Sequence, residues 1–138
     1  MDKKKILKKL QDDNHYYGNF GKKFLSNSDI GTLLSNPLGL GSEVKSSPAI
    51  LIGSYFHTAL LEPDKLKDFK VIAAATRNTK VYKDESEGKL CLLQSEVEMI
   101  KSMTTKIIDT QMCSDLINKR NCEYEVPMIT ELYGNKWK

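Results

Sequence analysis

Apolar residues recur with helical spacing in four stretches of this chain and cluster with strand-like density in three others. Ile6 and Leu10 stand four apart within residues 2–12, which predicts a short helix with one apolar edge. Residues 14–21 read as a loop of turn residues and aromatics, with His15, Tyr16, Tyr17 and Phe20. Ser26 or Ser28 can cap a second short helix, whose predicted buried face is Ile30, Leu33 and Leu34. Asn36-Pro37 stops it, and Gly39, Gly41 and Ser42 keep the chain irregular. Ser46-Ser47-Pro48 opens a third helix running to about Leu61, ended by Glu62-Pro63. Ala49, Ile52, Phe56 and Leu60 form its apolar stripe.

Residues 69–75 have the β-branched, apolar character of a strand, and 76–88 are polar, predicting loop or a frayed helix. The strongest periodicity runs over 90–117, where Leu93, Val97, Ile100, Ile107 and Leu116 share one face of a single long helix. Met103 and Met112 lie at the edge of that face, and residues 118–121 end the helix. Residues 122–129 read as a strand, and Tyr133-Gly134-Asn135 as a hairpin turn into a last strand at 136–138.

These elements predict an α+β (α/β) fold: a single domain over residues 1–138, with a helical layer leading into the start of a mixed central sheet. A final strand of three residues is shorter than the usual ~5–6, so the sheet is expected to be interrupted mid-hairpin. No internal repeat or low-complexity tract occurs.

Composition adds bounds. At 138 residues, 40% hydrophobic and 28% charged, the chain is expected to bury a core and to fold as an ordinary globular protein. No apolar run approaches the ~20 residues that span a bilayer, and the N-terminus carries no secretory signal, so a cytoplasmic protein is expected. Cys91, Cys113 and Cys122 are widely spaced, which argues for reduced thiols over a zinc or iron–sulfur site. The net charge of +3 is too small to imply nucleic-acid binding. Its distribution says more: Lys3, Lys4, Lys5, Lys8 and Lys9 crowd the first helix, and Lys22 and Lys23 follow. A solvated helix face and a phosphate-contacting surface both account for them.

His57 is the most informative candidate. Helical side chains lean toward the N-terminus, so its ring overlies Gly53 and Ser54, the smallest residues available. A histidine with that room can ligate a metal or touch a phosphate; the competing reading is a half-buried histidine bonded to a backbone carbonyl. Tyr16, Tyr17 and Phe20 could stack on an unpaired base beside the basic N-terminus or simply pack together. His15 is expected to be exposed or to pack. There is no P-loop, GxGxxG, HExxH or nucleophile-elbow sequence.

Residues 46–71, SSPAILIGSYFHTALLEPDKLKDFKV, carry Gly53, His57 and Leu61-Glu62-Pro63 at a spacing similar to a segment of exodeoxyribonuclease VIII-like (RecE-like) proteins, in the RecB-like branch of PD-(D/E)XK nucleases. Phe24-Leu25-Ser26-Asn27-Ser28-Asp29-Ile30, with Asn36-Pro37 after it, resembles that family's opening element, and Glu123-Tyr124-Glu125-Val126 fits its order of elements. The resemblance covers residues 16–138, with 1–15 as a basic N-terminal helix. It implies Mg²⁺- or Mn²⁺-dependent exonucleolytic digestion of double-stranded DNA, in phage or prophage recombination within a bacterial or phage-infected host. A single-strand annealing protein is the implied partner, and a ring-shaped homo-oligomer a possible assembly. By motif His57 corresponds to the metal-associated histidine, Glu62 to the Leu-Glu-Pro signature and Glu123 to a glutamate opening the first sheet strand. The metal-binding aspartate and the acid-x-lysine are expected beyond Lys138, so the chain by itself is expected to be inactive. Glu43-Val44-Lys45, Asp68-Phe69-Lys70 and Glu87-Gly88-Lys89 match acid-x-lysine as strings and are read as decoys. Two other readings compete: a short non-catalytic DNA-binding or regulatory module built on the nuclease fold, and an unrelated helical interaction protein with a structural His57.

Overall fold

The computed structural model describes residues 2–42, 45–119 and 122–138. In chain order these form α1 (Lys3–Leu10), α2 (Asp13–Tyr16), α3 (Asn27–Ser35), α4 (Pro48–Leu61), β1 (Val71–Ile72), α5 (Lys80–Ser86), β2 (Leu92–Leu93), α6 (Gln94–Asp109), α7 (Gln111–Ile117), β3 (Thr130–Leu132) and β4 (Asn135–Trp137), an α+β arrangement. Two compact units emerge, one from Met1–Val44 with Glu125–Lys138, the other from Lys45–Tyr124.

In the first unit, α1 reads KKKILKKL and buries Leu10. The expected loop at 14–21 opens instead with a helical turn, because Asp12 Oδ1 accepts from Asn14 N at 2.8 Å and caps α2. Ser26 heads α3, and Asp29 accepts from both Ser26 N and Ser26 Oγ at 2.7 Å, the acid's half of a capping box. The hairpin β3–β4 pairs Thr130 with Trp137; its turn falls where the sequence predicts, but its first strand lies at 130–132 and not at 122–129. Its turn residues Tyr133 and Gly134 have φ of 52° and 71°, the left-handed pair that matches the twist of two-residue hairpins. β4 then bridges to Leu25, whose N donates to Lys136 O while Lys138 N donates to Leu25 O, both at 2.8 Å. One expectation fails here: Ile30, Leu33 and Leu34 are 41%, 39% and 84% exposed, not buried. An apolar stripe says which side of a helix is apolar, not that another element lies on it.

The second unit holds the larger core. Ser47 Oγ accepts from Ile50 N and Pro48 occupies the first turn, so α4 starts where its cap predicts. Its core side is rotated from the predicted stripe. Tyr55 is the buried residue, clustered with Leu92, Val97 and Ile100, while Leu51, Ile52, Phe56 and Ala59 pack around them and Ala49 is exposed. A tyrosine ring is a large apolar body with a polar tip, and a stripe that leaves Tyr55 out is misplaced; its ring meets Phe69 edge-on at 5.2 Å. Each fully buried aliphatic side chain in this cluster contributes about 1.5–3 kcal/mol.

β1 and β2 pair in parallel, Val71 with Leu92 and Ile72 with Leu93. Parallel neighbours need a crossover, and α5 supplies it where loop or a frayed helix was expected. Thr79 Oγ1 caps it by accepting from Tyr82 N, and Glu87 and Gly88, at φ of 53° and 77°, turn the chain out of it. Tyr82 anchors the crossover: its hydroxyl donates to Cys91 O at 3.0 Å and accepts from Cys91 N at 2.8 Å. The single helix predicted over 90–117 is in fact a strand and two helices. Leu93 is the N-cap of α6, and Thr110 takes an extended conformation (φ −82°, ψ 110°) between α6 and α7. At the start of α6, Glu96 accepts from Leu93 N at 2.9 Å and from both Arg77 Nη atoms at 2.7 Å. Arg77 Nη2 also donates to Cys91 O, tying the loop after β1 to the strand and helix that follow it.

Residues 122–129 form no strand. Glu125 sits at φ 54°, and Pro127 is buried and lacks the N–H that a ladder requires. The helix end expected at 118–121 includes Arg120 and Asn121, which lie outside the described residues, as do Glu43 and Val44 of one acid-x-lysine string.

Candidate functional site

His57 lies on the exposed side of α4. Tyr55, two residues earlier and therefore roughly 200° around the helix, faces the core at 5% exposure. A Cβ built on Gly53, one turn before His57, meets nothing within 4 Å. The open space that small residues imply is therefore present, and the ring is not the half-buried one of the competing reading. Gly53→Ala should raise stability by about 0.5–1 kcal/mol, the helix-propensity gain with no clash to oppose it, read as a higher melting temperature. A fall would show that the space over this turn is occupied.

Glu62 closes α4 as its C-cap and pairs with Lys65 Nζ at 2.7 Å. That placement gives it a helix-ending role. Glu123 is exposed in the irregular segment before β3, without the strand that would aim it. Among the described residues no group of three or more His, Cys, Asp or Glu side chains could hold a metal ion. A hard cation takes about six oxygen ligands. The described side chains therefore do not compose a metal site on their own.

Two acid-x-lysine strings have structural placements. Asp68-Phe69-Lys70 leads into β1, with Phe69 against Tyr55, Lys70 O accepting from Leu92 N and Lys70 Nζ donating to Glu85 O. Glu87-Gly88-Lys89 is the left-handed turn that ends α5.

The basic candidates gather in the first unit. Lys3, Lys4, Lys5 and Lys8 are exposed along α1, and Lys22 and Lys23 are exposed on the 3₁₀ turn Gly21–Lys23. Tyr16 is half-buried and Tyr17 is 72% exposed. His15 is half-buried, edge-on to Phe20, with Nδ1 3.2 Å from Asp12 Oδ2. The hydrogen bond from Asn14 N, together with His15, holds the Asp12 carboxyl below its ordinary range. Sequence reasoning missed Lys138, whose ammonium sits over the Tyr16 ring at 3.9 Å and donates to Tyr16 O. Burial pushes its pKa down, against the pull of Asp29. No local signal joins residues 122 positions apart. The Arg77–Glu96 pair was missed too, although a glutamate three residues after a helix start is a cap signal.

None of the described helices is long and apolar enough to cross a membrane. The mixed helix and strand arrangement, with a parallel β–α–β crossover under a long helix, accords with the nuclease-type fold of the PD-(D/E)XK superfamily. The model of the PDDEXK-like domain of unknown function (DUF3799) matches residues 33–138, and the chain belongs to that family. No curated protein and no solved structure matches it.

Proposed function

We propose that this protein serves in metal-dependent exonucleolytic digestion of double-stranded DNA, in the manner of exodeoxyribonuclease VIII-like (RecE-like) enzymes. The observation that carries this reading is the family match over residues 33–138, which includes α4 with His57 exposed beside an open turn. In this reading His57 contacts Mg²⁺ or Mn²⁺ and Glu123 lies near it, while Lys3, Lys4, Lys5, Lys22, Lys23, Tyr16 and Tyr17 meet the DNA. The setting is phage or prophage recombination in the cytoplasm of a bacterial host. The companion is a single-strand annealing protein, and a homo-oligomer is the working form.

A second reading, a non-catalytic DNA-binding or regulatory module, is favoured by one observation: the lysines of α1 and of the Gly21–Lys23 turn are mostly exposed in the N-terminal unit. One experiment separates the two. The protein with whatever its gene encodes after Lys138 is incubated with linear duplex DNA and Mg²⁺ or Mn²⁺, and release of nucleotides is followed for wild type and His57→Ala. Cleavage that falls about 100-fold or more in the variant, the scale at which losing a metal-associated group acts, supports the nuclease reading. DNA binding without cleavage, unchanged by the substitution, supports the module.

A further inference from the structure

Tyr16 is the last residue of α2, and its side chain is half-buried. One face of its ring is taken by a cation: Lys138 Nζ lies 3.9 Å from the ring centre and also donates to Tyr16 O. Tyr17 meets the ring edge-on at 5.0 Å and 73°. The hydroxyl stands apart from these contacts. Among the described residues it has no hydrogen-bond partner, and it is open to solvent. Its position is therefore set through the ring and the backbone, not by a bond of its own.

The surroundings are basic. α1 carries five lysines and no acid, it packs against α2, and α2 packs against the turn bearing the exposed Lys22 and Lys23. Asp12 and Asp13 lie at the opposite end of α2 from Tyr16, where Asp12 caps the helix and contacts His15. Asp29 accepts from Ser26 at the head of α3. A neutral donor among lysines suits a phosphate oxygen: the ammonium groups supply attraction, and the directional bond fixes register on the backbone. Base stacking asks instead for an open ring face, and Lys138 occupies one here.

We propose that Tyr16 holds a backbone phosphate of duplex DNA through its hydroxyl, and that Lys138 is the residue that positions it. The hydroxyl donates to a phosphate oxygen, while the Lys138 ammonium is turned toward the ring and the Tyr16 carbonyl and makes no phosphate contact itself. This rests on the DNA reading of the N-terminal unit and names the chemistry of one of its contacts.

The test is fluorescence anisotropy of the protein with a labelled blunt duplex in EDTA, repeated over a range of salt concentrations. Tyr16→Phe keeps the ring beneath Lys138 and removes only the hydroxyl. It should weaken binding about tenfold, the scale of one hydrogen bond to a charged group. A neutral donor releases no counterion, so the slope of log affinity against log salt should stay as in wild type, whereas Lys22→Gln should lower it by about one. Lys138→Met should lose as much affinity as Tyr16→Phe, and the double variant no more than either alone. Wild-type affinity in Tyr16→Phe overturns the proposal, and so do losses that add in the double variant, since Lys138 would then reach the DNA independently. A wild type that binds no duplex overturns the DNA reading and this proposal with it. Because EDTA removes cleavage from the measurement, these outcomes are separate from the His57 result.

Discussion

Glu96→Ala should cost the second unit about 2–4 kcal/mol, the largest loss expected from any single charged residue here. Two effects combine. The N-terminus of α6 loses the acceptor for Leu93 N, and Arg77 keeps its charge in a site where the pair is only 23% and 15% exposed. A bidentate pair at 2.7 Å in such shelter belongs with the buried ion pairs, where removing one partner hurts more than the pair itself contributes. Glu96→Gln should recover part of the loss, since its amide oxygen can still accept from Leu93 N. Urea unfolding followed by far-ultraviolet dichroism gives the comparison. A change below about 0.5 kcal/mol would place the pair with exposed surface bridges instead.

The same carboxylate predicts an acid response. Burial pushes the Glu96 pKa up, but hydrogen bonds from Arg77 and from Leu93 N outweigh it, and the net value lies below the ordinary glutamate range. A group depressed in the folded state contributes its full stability above its unfolded pKa and loses it as pH falls through the folded one. Wild type should therefore lose stability across that acidic window, and Glu96→Gln should show a flatter slope there while matching wild type more closely at the acid end.

Gly21→Ala is the second large effect, about 3 kcal/mol or more, from overpacking against backbone. A Cβ at this position would lie 1.7 Å from Tyr16 O and 2.7 Å from Lys138 Nζ. The ammonium can swing aside. The carbonyl cannot, because it ends α2 and accepts from Lys138. The requirement is close approach, not left-handed torsion, so any side chain at this position should act alike. Trp137 belongs to β4 in the same unit, and its fluorescence on heating should report a lowered melting temperature. An unchanged melting curve would mean that Tyr16 and Lys138 are not held together as described.

What could be read from sequence follows the range of the forces involved. Ser47 with Pro48 and Tyr133-Gly134 act within four residues and gave the right helix start and turn, while Ser26 and Ser28 were both open as caps until the Ser26–Asp29 bonds decided for Ser26. Periodicity gave the helical character of 94–117 but not the break at Thr110 or the strand at Leu92, because one apolar face can pass through all three elements. The strand expected at 122–129 failed at Glu125 and Pro127, where backbone torsion and a missing donor override β-branched composition. At the candidate site, the cleared turn at Gly53 was legible because it follows from side-chain size and helix geometry. The Lys138–Tyr16 and Arg77–Glu96 contacts were not, since tertiary pairing decides them.

The bridge from β4 to Leu25 also sets an order of events during synthesis. Residues 45–124 make up one compact unit, whose chain is complete once residue 124 has left the ribosome. Leu25 must wait for Lys136 and Lys138, a delay on the order of 10 s at ordinary elongation rates. For that interval the N-terminal segment is a nascent chain without its closing strand, and the lysines of α1 give it the like-charge repulsion that keeps such a segment from self-association. The strand at 135–137 thus completes a unit begun more than a hundred residues earlier.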